Sequence, residues 1–287
     1  MEPRSQFIDV DGIKLHVADW GGNGPHLLLL HANGFLGRVY RLMIAQLVGH
    51  YHVLTMDLRG QGDSEKPALE DYHWQYMARD VEGVVAALDL HDFYGIGHSG
   101  GGALLALYAA THPRKITSLA LLEPVAVPHE PAFLDRLSTD RHPLVERTLR
   151  RRVVWDNRQQ LFAAYQGKDA FAGWNEEVLW DYVNYGTDEL PDGRISLKCS
   201  AEVEAHVFAT TMSLDIFSQL EKVDCPVLVL RGEHTDVPLS IVAERVAQRI
   251  SHGSLVTVPG TSHFLAMEKP EEIAKIIDDY FQTRRIS

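Results

Sequence analysis

Six short apolar runs, each closed by glycine, proline or a charged or polar residue, constrain this chain more than any other feature. They are "HLLLLH", "YHVLTMDL", "DFYGIGH", "ITSLALLEP", "CPVLVLRGE" and "GSLVTVPG". A strand exposed on one face alternates apolar and polar residues. Unbroken apolar runs of this length suit strands covered on both faces, the pattern of a parallel sheet. Stretches of helical spacing lie among them: "VYRLMIAQLVGH", "YMARDVEGVVAALDL", "GGALLALYAATHP", "LSIVAERVAQRIS" and "PEEIAKIIDDYFQTRR". The last opens on proline and closes on cations, as helix polarity favours. This alternation predicts a doubly wound α/β sheet with helices on both faces. Ahead of it, "FIDVDGIKLHVADWG" alternates around Asp11-Gly12, a hairpin signal.

The alternation stops near Val125 and resumes near Asp224. A break of roughly ninety residues is too long for a plain crossover. It is helical in spacing and dense in aromatics, among them Trp155, Phe162, Tyr165, Phe171, Trp174, Trp180, Tyr182 and Tyr185. The expected organisation is a core over 1–125, a helical cap over 126–215 and the rest of the core over 216–287. The formal charge of −12 argues against a phosphate-backbone binder. The basic run "RTLRRR" at 147–152 reads as a solvated helix face. Cys199 and Cys225 stand outside any CxxC or Cys/His grouping and read as reduced thiols in packed surroundings, fitting a cytoplasmic setting. No secretion leader or membrane span is expected. No metal or nucleic-acid partner is expected either.

Glycine is concentrated in "GHSGGG", residues 97–102, between a predicted strand and a predicted helix. Gly97-His98-Ser99-Gly100-Gly101 matches G-x-S-x-G, the nucleophile elbow, a tight strand-to-helix turn that lifts a serine hydroxyl above the sheet. The flanking glycines clear space for that turn. A phosphate cradle fits less well, because neither a G-K-[ST] lysine nor G-x-G-x-x-G in the required register is present.

A serine needs a base, and the base needs a carboxylate to orient it. His263 falls on the loop between the last strand and the last helix, at the carboxyl edge where open α/β folds build their sites. It is the expected base, with His234 second. Asp236, on the loop after "PVLVLRG", is the first choice of acid, and Glu123, directly after "LALL", is the alternative. The expected oxyanion donors are the N–H groups of Gly100 and Asn33. Phe35, His98, Trp155, Trp174 and Trp180 are expected to wall the pocket, although His98 itself should point away from Ser99 along the turn.

On "LLLLHANGF", "MDLRGQGDS", "GIGHSGGG", "RGEHTDVP" and "GTSHFLAMEKPEE", in order and at familiar spacing, the chain resembles the α/β-hydrolase superfamily over nearly its whole length. The resemblance implies a mostly parallel eight-stranded sheet, a helical cap and a cofactor-free Ser99-Asp236-His263 triad. It also implies that 57–64 shapes the core and pocket wall, and some relatives carry the acid where Glu123 stands. The oxyanion loop departs from the pattern, reading HAN rather than HG. A serine at the elbow implies that the carboxylate route of epoxide hydrolases and dehalogenases is not used. The implied activity is hydrolysis of a carboxylic ester or lactone of a small hydrophobic substrate. Carbon–carbon bond hydrolysis, perhydrolysis or lyase chemistry on the same triad is the alternative, and a non-catalytic ligand receptor is the alternative of another class.

Overall fold

Leu27 to Leu30 expose no surface, so the strand they form is covered on both sides. In the computed structural model, which describes residues 1–130 and 143–284, Leu28 and Leu30 enter one core and Leu27 and Leu29 a second. The same alternation separates Val227 and Val229 from Leu228 and Leu230, because successive side chains leave a strand on opposite faces.

The first six strands are β1 (Arg4–Val10), β2 (Ile13–Gly21), β3 (His26–Leu30), β4 (His52–Met56), β5 (Phe93–His98) and β6 (Ile116–Leu122). Three short ones follow, β7 (Val154–Trp155), β8 (Thr187–Glu189) and β9 (Ile195–Leu197), then β10 (Val227–Gly232) and β11 (Gly253–Val258). Eight of them form one sheet in the order β1-β2-β4-β3-β5-β6-β10-β11. The β1–β2 hairpin places Val10 opposite Ile13 around the Asp11-Gly12 turn. β2 also runs antiparallel to β4, and every other neighbouring pair is parallel. This is the doubly wound sheet that the apolar runs predict, with the eight mostly parallel strands that the resemblance implies.

Helices α1 (Arg41–Leu47), α2 (Trp74–Ala87) and α3 (Gly100–Thr111) precede the insertion, which holds α4 (Pro143–Leu149), α5 (Arg158–Gln166), α6 (Glu176–Tyr185) and α7 (Ala201–Ala209). After it come α8 (Val237–Arg249), α9 (Leu265–Glu268) and α10 (Pro270–Arg284). α2, α3 and α8 pack on one face of the sheet, and α1 and α10 on the other. Gly100 to Ala110 are all buried, which explains why α3 is apolar all round.

The insertion is not wholly helical. β7, β9 and β8 form a small antiparallel sheet, with strands too short to show a period in the sequence. The segment lies across loops at the carboxyl edge of the large sheet. Arg41 reaches Asp181 at 2.8 Å and Glu177 at 3.1 Å; Trp74 Nε1 donates to Val207 O at 3.1 Å; Asn175 N–H donates to Met267 O at 2.9 Å. The basic run departs from its expected helix face. α4 ends at Leu149, Arg152 stacks over the Trp155 ring at 4.2 Å, and Arg151 turns inward with its side chain 16% exposed. Cys199 and Cys225 are free and buried, and burial pushes both thiols up to about 12. Among the described residues no helix is long and apolar enough to cross a membrane.

Candidate active site

β5 and β6 run side by side with His98 opposite Leu122, so Ser99 and Glu123 leave the sheet together. Ser99 N–H donates to Leu122 O at 2.8 Å, and Glu123 N–H to Leu230 O at 2.8 Å. Both residues have left-handed backbones, Ser99 at φ 54°, ψ −115° and Glu123 at φ 47°. Such angles are uncommon outside glycine, and they gather where function dictates the backbone. The other four such residues among those described, Asp11, Asp89, Asp92 and Arg114, are exposed. A Cβ on Gly97 would fall 2.5 Å from Gly102 Cα, and one on Gly101 2.5 Å from Leu30 O. Only hydrogen fits at either flank of the serine turn. α3 opens at Gly100, whose N–H is one of the donors a helix start leaves without an internal partner.

His263 arrives from the loop after β11. Its Nδ1 lies 3.5 Å from Glu123 Oε2, and neither atom has another hydrogen-bond partner among the described residues. A small closing movement would make the bond. The second carboxylate oxygen is already fixed, accepting from Gly232 N–H at 2.6 Å and from the Thr235 hydroxyl at 2.5 Å.

The expected first-choice acid is elsewhere. Asp236 is exposed at the N-cap of α8 and makes no ion pair with His263 among the described residues. The reason is register. β10 pairs Leu230 with Leu122, so Glu123 emerges beside the serine turn. The chain beyond Gly232 continues to Thr235, which bonds that same glutamate, before Asp236 starts a helix. His234, the second-choice base, is exposed with Glu233 at 3.8 Å.

In the loop after β3, Ala32 N–H donates to the Tyr40 hydroxyl at 3.1 Å, Gly34 N–H to Gln61 Oε1 at 2.7 Å, and Phe35 N–H to Ala32 O at 3.2 Å. The Asn33 N–H alone in this run has no partner among the described residues. Its side chain explains the HAN spelling. Asn33 Oδ1 accepts from Gln61 Nε2 at 2.9 Å and Nδ2 donates to Glu204 O at 3.1 Å. Gln61 is wholly buried and holds the loop from below. Nothing in "DLRGQGDS" beyond its place in the motif marks it for this task.

His98 is buried behind the serine rather than lining a pocket. Its Nε2 meets His263 O at 2.8 Å, and its Nδ1 meets the Tyr40 hydroxyl at 2.8 Å. A carbonyl can only accept, so Nε2 carries the hydrogen and Nδ1 accepts from Tyr40. Burial, with His263 nearby, pushes His98 down to about 3, which keeps it neutral. A chain of hydrogen bonds thus joins the Ala32 N–H, Tyr40, His98 and the His263 backbone.

Phe35 and Trp174, two expected wall residues, meet at 5.4 Å, and Tyr182 and Phe264 lie 5.3 and 5.7 Å from Phe35. The others face elsewhere: Trp180 stacks on Phe162 at 4.1 Å and Trp155 stands edge-on to Tyr165 at 6.1 Å. His16, Asp57 and Asp63 bring potential metal-ligand atoms within 4.8 Å of one another. These groups are already engaged. Asp57 accepts from His16 at 2.9 Å and Gly37 N–H at 2.7 Å, and Lys198 pairs with Asp63. They buttress the fold.

Ser99 leaves the carboxyl edge of a doubly wound sheet beside Glu123, and Glu123 faces His263. In agreement, the sequence pattern of the alpha/beta hydrolase fold family matches residues 25–270, and the chain belongs to that family. It is 26% identical over 298 residues to epoxide hydrolase 3 of Xenopus tropicalis, covering 94% of this chain and 75% of that protein. It is 25% identical over 281 residues to the bifunctional esterase/perhydrolase DCH of Acinetobacter calcoaceticus, covering 92% and 95%. Among solved structures, E-2-(acetamidomethylene)succinate hydrolase superposes with a TM-score of 0.82 at 22% identity, covering 98% and 100%. An alpha/beta hydrolase from Novosphingobium aromaticivorans DSM 12444 superposes with a TM-score of 0.78 at 27% identity, covering 99% of each chain.

Proposed function

We propose that this chain is a serine hydrolase that cleaves a carboxylic ester or lactone through an acyl-enzyme. The observation that carries the reading is Ser99, held at φ 54° at the end of β5, beside a Glu123–His263 pair 3.5 Å apart. With Nδ1 of His263 turned to Glu123, Nε2 is the nitrogen left for the serine proton. Ser99 Oγ attacks the carbonyl carbon as His263 takes that proton. The N–H groups of Asn33 and Gly100 hold the oxyanion, contributing about 3 kcal/mol each. His263 then protonates the leaving oxygen. A water that His263 deprotonates attacks the acyl carbon, the bond from that carbon to Ser99 Oγ breaks as His263 returns the proton to Oγ, and the acid leaves. Glu123 fixes the imidazole tautomer and stabilises the cation that forms. The inserted segment serves as a cap, and the rings of Phe35, Trp174, Tyr182 and Phe264 suit a small hydrophobic substrate body. The likeness to an esterase/perhydrolase supports the reading.

A fluorophosphonate probe followed by peptide mapping tests it. One label per chain on Ser99 is expected; no label, or a label at another serine, overturns it. A second outcome concerns His98. Replacing His98 with leucine removes the donor that anchors His263 O, and kcat/KM for a 4-nitrophenyl ester should fall about 10- to 100-fold through kcat. His98→Gln, whose amide can donate to the same carbonyl, should recover part of the loss. Equal rates in the two variants would detach His98 from catalysis.

A further inference from the structure

Arg151 does not behave as a surface cation. Its Nη2 donates to Cys199 O at 3.1 Å and its Nη1 pairs with Glu204. Its Nε is buried with no acceptor among the described residues. A guanidinium stays charged, and a charge taken out of water is stable only when its donors are matched.

The pair sits over the oxyanion loop. A methyl on Gly34 would lie 2.8 Å from the Glu204 carboxyl carbon, and the Glu204 carbonyl accepts from the Asn33 side chain at 3.1 Å. A second unmatched donor lies in the same part of the molecule. Among the described residues Trp174 Nε1 is buried with no acceptor, and the Trp174 ring packs on Phe35, the residue that ends that loop, at 5.4 Å. The positive charge of Arg151 also acts on the buried hydroxyls of Tyr165 and Tyr182, and Tyr182 is itself 5.3 Å from Phe35. Arg151 Nε thus lies unmatched beside Glu204 against the oxyanion loop, and Trp174 Nε1 lies unmatched against Phe35 of the same loop. Glu204 Oε2 has only its ion pair with Arg151 among the described residues. A charged donor and a neutral donor on one loop complement a group that carries acceptors and negative charge.

We infer that Arg151 receives a carboxylate carried by the substrate, with Trp174 Nε1 as the second donor and Glu204 as the competing internal carboxylate. The inference rests on the ester or lactone reading and narrows its substrate to one with an apolar body and an anionic end. A planar carboxylate fits because the guanidinium fork matches it, and because Arg151 already binds a group of that chemistry in Glu204.

The test compares mono-4-nitrophenyl adipate with 4-nitrophenyl heptanoate, esters of similar reach that differ in the terminal charge. The wild-type protein should favour the adipate in kcat/KM by at least about tenfold. Arg151→Met should lower the adipate-to-heptanoate ratio by about 30- to 100-fold, mainly through KM. Glu204→Gln should raise it, because a competitor for the guanidinium is lost. Thermal unfolding of each variant checks the fold.

If the pair were only a clasp between insertion and core, both variants would leave the ratio unchanged, and the inference would fall. A wild-type preference for heptanoate would also overturn it. If neither ester turns over, the serine reading fails separately. Calorimetry with adipate and the Ser99→Ala protein, with and without Arg151→Met, then still decides. Weaker binding in the double variant upholds the site, and equal binding or none removes it.

Discussion

Replacing Ser99 with alanine is expected to lower kcat/KM for a 4-nitrophenyl ester on the order of 10⁵-fold while leaving the fold intact. Loss of a serine nucleophile leaves only oxyanion and binding contributions, so the fall is steep. Alanine at φ 54° bears the same backbone strain as serine, so the unfolding midpoint should stay within a few degrees. Glycine has no Cβ to strain. Ser99→Gly should therefore be as inactive as Ser99→Ala yet more stable by about 1 kcal/mol. That opposition of activity and stability marks a residue whose conformation is kept for chemistry. Retention of more than a few percent of activity in either variant would remove Ser99 from the reaction, and a destabilised glycine variant would refute the strain argument.

The sequence carries the sheet because burial on both faces leaves a local mark: "LLLL" at 27–30 has no polar position to spare, and neither has "VLVL" at 227–230. The serine turn is equally local, since clashes at Gly97 and Gly101 restrict the spelling around Ser99. The acid is different. Choosing between Glu123 and Asp236 depends on how β6 and β10 align, which no window of neighbouring residues encodes. One local clue was nevertheless present. Asp236 precedes Val237-Pro238, and a helix-capping residue followed by proline reads as a helix start. Glu123 directly follows an apolar strand. Arg151 was hidden for another reason. Its neighbours Arg147, Arg150 and Arg152 suggest one solvated face, and only the end of α4 at Leu149 turns it inward. Gln61 and Tyr40 act on the site across the fold, at distances in sequence that periodicity cannot reach.

The second large effect separates the two carboxylates. Glu123→Gln should reduce kcat/KM on the order of 10⁴-fold, whereas Asp236→Asn should change it by less than about threefold. The asymmetry follows from hydrogen-bond polarity. In the glutamine variant the side-chain oxygen can still accept from Gly232 N–H and the Thr235 hydroxyl, the two bonds that fix Oε1. The amide nitrogen then replaces Oε2 and faces His263 Nδ1. Two N–H groups cannot face each other, so the imidazole adopts the tautomer with Nδ1 bare and its hydrogen on Nε2. That tautomer cannot accept the proton of Ser99. Asp236 makes no side-chain capping bond to α8 and lies on an exposed turn, so with Asn there neither stability nor the imidazole should respond. Steady-state rates for both variants on one ester, with the release burst measured to confirm that acylation is the step slowed, give the answer. An inactive Asp236→Asn beside an active Glu123→Gln would return the role to the later loop and require His263 to swing away from the glutamate it faces.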